Sequence, residues 1–219
     1  MFPARTLGVL LVCATHTIAL AQQGAININA ELLQAARRGS EPEVRALLEK
    51  GASLESRNRL GDTPLNVAAK NGHTALGVML IERGANVNQG NLAGVTPLMS
   101  AAYNGDLDLV RALLRRKADL APVDRMKKTA LLYAAANGHE QVLGALLEQG
   151  VDVNARYDNE LTALMWAAGF GRDQAVKLLI SRGADLNARD NRGKTALAIA
   201  EEEGRQATAG LLRAAGAQK

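Results

Sequence analysis

Cysteine and aromatic residues are both scarce in this chain of 219 residues. Because Cys13 is the single cysteine, no disulfide can form within the chain. Aromatic residues make up 3% of the sequence and hydrophobic residues 47%, so a core has to be built from Ala, Leu and Val. Proline is rare, with five residues, whereas glycine is frequent, with 21. This balance favours many short helices with regular breaks and argues against a β-sandwich.

A large excess of charge of one sign is also missing. The formal net charge is only +4, and the basic residues are spread along the chain. A nucleic-acid surface normally shows a concentrated basic patch, so we predict no nucleic-acid partner.

The sequence lacks the patterns of catalytic, cofactor and metal sites. No carboxylate pair stands isolated among apolar residues, and no Cys or Ser occupies a nucleophile motif. Gly193-Lys194-Thr195 resembles the end of a phosphate-binding loop, but the Gly required five positions earlier is replaced by Ala188. We therefore predict no catalytic, cofactor or metal site, with an enzyme of unrecognised chemistry as the alternative of another class.

The first 21 residues have the pattern of a cleavable signal peptide. Arg5 is the only charged residue among the first 30, an apolar run covers Leu7 to Ala14, and Ala19-Leu20-Ala21 offers the small residues that signal peptidase accepts. The apolar run is too short to span a bilayer. We predict cleavage after Ala21 and export to the periplasm of a bacterium, with no membrane span. An N-terminal helix packed on the domain and a lipid anchor on Cys13 are the alternatives.

A period of 33 residues runs through the rest of the chain. Each copy opens with a Thr two residues before a Leu and has a Gly nine residues after that Thr. The five Thr residues are Thr63, Thr96, Thr129, Thr162 and Thr195. Counting back one period reaches Ala30, in phase with Leu32 and Gly39, which indicates a divergent first copy. The chain therefore contains about six repeats.

These repeats resemble the ankyrin-repeat family, and the chain is similar to small bacterial periplasmic members of it. Thr63-Pro64-Leu65 matches the family's opening phrase, and Leu80-Ile81-Glu82-Arg83-Gly84-Ala85-Asn86-Val87-Asn88 matches its second half. The resemblance covers about residues 26–217. It implies an all-α solenoid of helix-turn-helix repeats with short β-turn fingers. Neither helix of a repeat is long enough to be stable alone, so each repeat must bury its apolar face on its neighbours.

The resemblance sets the expected domain boundaries. They are a signal peptide at 1–21, an N-terminal capping repeat at 22–58, repeats at 59–91, 92–124, 125–157 and 158–190, and a C-terminal capping repeat at 191–219. Small pairs such as Ala134-Ala135 should let adjacent helices approach closely. In the last repeat Glu201 replaces the second Ala and Arg213 replaces an apolar residue. We expect these charges on an outer face, which would complete the domain.

Two histidines, His73 and His139, follow the Gly that ends a first helix, where the ankyrin family has His for structural reasons. They lie two repeats apart, or about 20 Å at roughly 10 Å per helix layer. That separation is too large for a shared metal ion, so we predict a structural role for both.

The resemblance implies a binding groove along the first helices. Tyr103, Phe170 and Lys70 occupy variable positions after the Ala pair, where the family exposes side chains, and exposed rings suit an interface. A second row, in place of the family's His, is expected to make the groove apolar. That row contains Asn66, Met99, Leu132 and Met165. Trp166 and Tyr133 have two interpretations, packing within the stack or partial exposure in the groove.

The fingers are rich in basic residues, with Arg59, Arg125 and Arg192 as predicted contacts. A solvated edge is the default explanation for such charges, but positive charge gathered at a binding edge would steer an acidic partner. Two middle fingers depart from the family pattern. Lys127 and Glu160 replace the finger Gly, which leaves their geometry open.

These features predict a monomeric, non-catalytic module that binds a protein in the periplasm, with an acidic partner favoured by the basic fingers. Two roles stay open at this point. One is an accessory or scaffold for an exported enzyme, and the other is an immunity protein that neutralises a toxin acting in the periplasm.

The signal peptide gives a direct prediction: the mature chain should begin at Gln22. Mass spectrometry of the protein purified from its source measures this terminus. A chain that keeps Met1 and stays in the cytosol would contradict both the compartment and a periplasmic partner.

Overall fold

The computed structural model describes residues 28–218, so the predicted signal peptide, its cleavage site and the start of the first repeat lie outside the described residues. Within that range the chain forms twelve α-helices and no strand. The helices are α1 (28–38), α2 (Glu41–Glu49), α3 (Pro64–Lys70), α4 (Thr74–Glu82), α5 (Pro97–Asn104), α6 (Leu107–Arg115), α7 (Ala130–Asn137), α8 (Glu140–Leu147), α9 (Ala163–Gly169), α10 (Asp173–Ser181), α11 (Ala196–Glu202) and α12 (Gln206–Ala214).

The helices form six helix-turn-helix units that stack in two layers. From α3 to α12, each odd-numbered helix packs against the odd-numbered helices of adjacent units, and the even-numbered helices do the same. The two helices of each unit also pack on each other. This arrangement confirms the predicted all-α solenoid.

A capping Thr starts every odd-numbered helix from α3 to α11. Its hydroxyl accepts a hydrogen bond from the backbone N–H three residues later, at 3.3 to 3.4 Å, and so satisfies one of the free N–H groups at the helix start. A Gly in the left-handed conformation follows each of these helices, as at Gly105 with φ of 72°. A side chain at that backbone conformation would be strained. The predicted start and end signals of the first helices are therefore confirmed.

The Ala pairs of the odd-numbered helices are fully buried, which confirms the predicted close approach of adjacent helices. These residues are Ala68, Ala69, Ala101, Ala102, Ala134, Ala135, Ala167 and Ala168. In α11 the second Ala is replaced by Glu201, which forms an ion pair with Arg213 of α12. A capping role for these two charges stays a prediction.

His73 and His139 bind the repeat that precedes them. Nε2 of His73 lies 3.0 Å from the carbonyl oxygen of Arg37, and Nε2 of His139 lies 2.9 Å from that of Tyr103. Because a carbonyl can only accept, the Nε2–H donates in each case. Arg172 does the same in a later repeat, where its Nε donates to the carbonyl of Ala136 at 2.8 Å. The position thus satisfies a free carbonyl at the end of the preceding first helix, which is the structural role predicted for the histidines.

The loops between units form five fingers. We number them finger 1 (57–62), finger 2 (90–95), finger 3 (123–128), finger 4 (156–161) and finger 5 (189–194). Each contains a β-turn closed by a backbone hydrogen bond of 2.9 to 3.0 Å. In four fingers the first turn residue is Asn or Asp, and its side-chain oxygen accepts from two backbone N–H groups of the turn.

Fingers 3 and 4 keep a positive φ at the position where the other fingers have Gly. Lys127 and Glu160 both take positive φ, of 58° and 61°, so the backbone keeps the conformation that Gly61 has in finger 1. Finger 4 alone is changed: Asp158–Glu160 forms a 3₁₀ turn in which Asn159 also has positive φ. Tyr157 stands at the first turn position there, and its side chain has no oxygen within reach of the turn N–H groups in the manner of Asn or Asp.

Lys117 provides a test of backbone strain. It has φ of 58° two residues after the end of α6, at the position where the other five repeats have Gly. A side chain in the left-handed region costs about 1 kcal/mol or more, so Lys117→Gly should raise the free energy of unfolding by about 0.5–1 kcal/mol. The matched control is Lys177→Gly inside α10, which should lower it by about 1 kcal/mol. Urea denaturation compares the two, and equal losses of stability would contradict the strain at Lys117.

Candidate functional site

The exposed sides of the odd-numbered helices and the fingers form one continuous surface, which we call the groove. Two contacts join its parts. The hydroxyl of Tyr133 on α7 donates to Asp124 of finger 3, and the ammonium of Lys194 in finger 5 pairs with Glu202 of α11. Side chains of the fingers and of the first helices therefore meet on the same face.

Four of the residues predicted to line the groove are buried. Asn66, Met99, Leu132 and Met165 are at most 2% exposed, so the prediction of an apolar row in the groove is wrong. Each is the third residue of its helix, three positions after the capping Thr, and this position faces the stack. The side-chain oxygen of Asn66 accepts from the backbone N–H of Thr63 and its amide donates to the carbonyl of Gln89, each at 3.0 Å.

The two rings predicted as anchors are exposed. Tyr103 has 55% of its surface exposed and Phe170 has 47%. Lys70, predicted beside them, is exposed at the end of α3. Whether these residues bind a partner stays a prediction.

Four rings from three successive first helices form what we call the aromatic strip: Tyr103, Tyr133, Trp166 and Phe170. Tyr103 and Tyr133 meet edge to face with ring centroids 5.7 Å apart. Trp166 and Phe170 are stacked at 5.9 Å with an angle of 10° between their planes. Tyr133 and Trp166 are half-buried and pack against the core, so they combine both of the interpretations that the sequence left open. Each inner ring supports an exposed outer ring.

Lys128 joins the two halves of the aromatic strip. Its ammonium lies 5.6 Å from the centroid of the Tyr133 ring and 4.7 Å from that of the Trp166 ring. Cation–π contacts of this kind contribute about 0.5–2 kcal/mol. Within residues 28–218, no carboxylate or carbonyl group accepts a hydrogen bond from this ammonium. The lysine is thus held by rings rather than neutralised by an acid.

A single buried carboxylate positions both Lys128 and Tyr133. Oδ1 of Asp124 accepts from the backbone N–H groups of Met126, at 2.8 Å, and of Lys128, at 3.0 Å. Oδ2 accepts from the hydroxyl of Tyr133. Burial raises the pKa of the Tyr133 hydroxyl, and the hydrogen bond to Asp124 raises it further. The hydroxyl therefore remains a donor at neutral pH.

An open pocket of about 220 Å³ adjoins Trp166 and Phe170. Leu161, Met165 and Ile199 give it an apolar lining, and its charged lining residues are Arg192, Glu203 and Arg205. The indole N–H of Trp166 is buried and makes no hydrogen bond to the described part of the chain. Buried donors without a hydrogen-bond partner are rare in folded proteins.

The finger cations divide into two groups. Arg59 and Arg125 are exposed and make no ion pair with any described residue. Arg192 instead forms a two-point ion pair with Asp190, at 2.8 and 2.9 Å. Burial opposes ionisation of Asp190, but hydrogen bonds from Lys194 and Arg192 outweigh it and hold the pKa of this carboxyl below its usual value. The unpaired cations therefore lie at fingers 1 and 3. Whether Arg192 contacts a partner stays a prediction.

The structure adds three apolar residues that the sequence did not single out. Leu60, Leu92 and Met126, at the tips of fingers 1–3, are 59%, 62% and 66% exposed. The backbone N–H of Leu92 donates to the carbonyl of Leu60 at 2.9 Å, so the first two tips are adjacent. The sequence signal that could have identified these three tips was an apolar residue set between residues that form turns.

The described residues contain neither a metal-binding cluster nor a membrane-spanning helix. No cluster of three or more His, Cys, Asp or Glu residues there has an arrangement that could hold a metal ion. None of the helices in that range has the length and apolar character needed to cross a membrane.

The stacked helical repeats, with fingers on one side, define a repeat solenoid whose side chains vary on a constant frame. A family model described as "Ankyrin repeats (3 copies)" matches residues 19–91, 78–157 and 154–219. The chain therefore belongs to the ankyrin-repeat family, whose members are typically non-catalytic protein–protein interaction modules. A search of curated proteins finds no match.

The link between Asp124 and the aromatic strip can be tested by removing one hydroxyl. Tyr133→Phe leaves one oxygen of a buried carboxylate without its donor, so we expect a loss of about 1–2 kcal/mol in the free energy of unfolding. Tyr103→Phe is the matched control, because the hydroxyl of Tyr103 makes no hydrogen bond to a described residue, and it should change stability by less than about 0.5 kcal/mol. Urea denaturation of both variants decides the point, and equal effects would contradict the positioning role of Asp124.

Proposed function

We propose that the groove binds a protein partner, with the aromatic strip as the central contact. The observation that carries this proposal is an ordered aromatic surface whose outer rings stay exposed. Tyr103 and Phe170 rest on Tyr133 and Trp166, and Lys128 holds the inner rings together. A surface that is ordered before binding loses little conformational entropy when the partner arrives. Aromatic side chains also contribute most of the binding energy at many interfaces.

The fingers extend this contact towards the N-terminal repeats. The apolar tips Leu60, Leu92 and Met126 are exposed beside the unpaired cations Arg59 and Arg125. Apolar side chains would contribute contact area, whereas exposed cations would mainly speed the association of an acidic partner.

The proposed compartment is the periplasm, and the proposed role is that of a monomeric accessory or scaffold for an exported enzyme. Export is supported by the signal-peptide pattern of residues 1–21. The role as an accessory or scaffold is supported by family membership, since ankyrin repeats act by binding proteins.

The proposal predicts that removing either exposed ring weakens partner capture without unfolding the protein. The tagged protein is incubated with an extract of its own periplasm, and captured proteins are identified by mass spectrometry. Tyr103→Ala and Phe170→Ala should each weaken binding about thirtyfold, because an aromatic anchor often contributes 2 kcal/mol or more. Their thermal melts should match the unchanged protein, since both rings are exposed.

The control is Lys177→Ala, an exposed residue of α10 on the layer of second helices, which should capture the partner normally. If both ring variants also bind normally, the groove is not the site and the even-numbered helices become the candidate surface. If they unfold, the two rings belong to the core and the proposal loses its central observation.

A further inference from the structure

The ammonium of Lys128 lies among the rings of the aromatic strip and forms no ion pair with a described residue. Its contacts are the two ring faces of Tyr133 and Trp166, which attract a cation but do not accept three N–H hydrogen bonds as carboxylates do. Lys128 is half-buried, so the rings replace part of its hydration. A partly desolvated charge attracts an anion more strongly than one in bulk water.

No carboxylate of the described residues forms an ion pair with this ammonium. Both oxygens of Asp124 accept hydrogen bonds from finger 3 and Tyr133. In the groove beyond it, Glu202 pairs with Lys194, and in finger 4 Glu160 pairs with Arg156 at 3.3 Å. A carboxylate that forms an ion pair with Lys128 would therefore come from outside the described part of the chain.

An apolar subsite lies next to this cation, and the indole of Trp166 connects the two. The Lys128 ammonium lies 4.7 Å from the centroid of the indole ring, and the centroid of the stacked Phe170 ring lies 5.9 Å from it. Lys128 and the Phe170 ring are therefore separated by at most roughly 11 Å, the span of about three residues of extended chain. The pocket of about 220 Å³ opens beside Phe170.

We propose that the groove recognises an extended segment of its partner by two side chains. An Asp or Glu side chain binds the ammonium of Lys128, and an aromatic or aliphatic side chain within three residues of it fills the pocket beside Phe170. This inference rests on the proposed function and specifies the chemistry of the partner. Charge complementarity at Lys128 and the apolar lining of the pocket select this occupant.

The test is a selection from random dodecapeptides displayed on phage, carried out on the purified full-length protein. The unchanged protein should enrich sequences with an acidic residue within three positions of an aromatic or aliphatic residue. Lys128→Gln should lose the acidic enrichment, whereas Lys128→Arg should keep it because the charge remains. Lys177→Gln, a change of the same kind on α10, should select the same sequences as the unchanged protein.

A selected peptide then gives a quantitative measurement. Trp166 is the only tryptophan in the chain, so its fluorescence reports binding at the site itself. Replacing the acidic residue of the peptide by its amide should weaken binding to the unchanged protein about tenfold, as expected for the loss of a charge-assisted hydrogen bond. The same replacement should have little effect on binding to Lys128→Gln.

The outcomes separate this inference from the function on which it rests. Selected peptides that need Tyr103 and Phe170 but carry no acidic enrichment would overturn the inference and leave groove binding intact. Acidic enrichment that survives in Lys128→Gln would overturn it as well. Peptides that bind Tyr103→Ala and Phe170→Ala as tightly as the unchanged protein would refute both proposals together.

Discussion

Close approach of neighbouring first helices is the constraint on which the rest of the structure depends. From α2 to α12 the helices have only seven to nine residues, fewer than an isolated helix needs to persist in water. Their stability must come from burial against adjacent repeats, and fully buried pairs such as Ala134-Ala135 set the spacing. The Thr caps and left-handed Gly residues then fix where each helix starts and ends. A frame of this kind repeats almost unchanged along the chain.

Because the frame of the repeats is constant, the side chain at a single finger position can add a contact that the other repeats lack. Asn58, Asn91 and Asp190 occupy the same finger position as Asp124, and each holds its own turn. In finger 3 the second carboxylate oxygen also accepts from the hydroxyl of Tyr133. The turn and the ring become one unit, and the backbone of Lys128 belongs to the same unit. The loop contact that stabilises a finger elsewhere here also positions the centre of the aromatic strip.

The period of 33 residues and its capping signals made the fold predictable, because they depend on residues a few positions apart. The exposed rings Tyr103 and Phe170 were predictable for the same reason. The burial of Met99 and Met165 was not predictable. A helix of seven or eight residues has barely two turns, so the sequence leaves uncertain by one position which residues point towards the core. The contacts of Lys128 with Tyr133 and Trp166 were also hidden. They join different repeat positions, 5 and 38 residues apart in sequence, and so produce no periodic signal.

Unpaired positive charge is distributed unevenly among the fingers along the groove. Fingers 4 and 5 neutralise much of their own positive charge, through Arg156 with Glu160 and Arg192 with Asp190. Fingers 1 and 3 keep unpaired cations beside apolar tips. Surface charges are screened beyond a distance of about 8 Å in physiological salt, so this asymmetry acts on a partner only when it is already close. It would therefore speed the final approach of an acidic partner and orient the bound segment, with acidic residues towards fingers 1 and 3 and Lys128, and apolar residues towards Phe170.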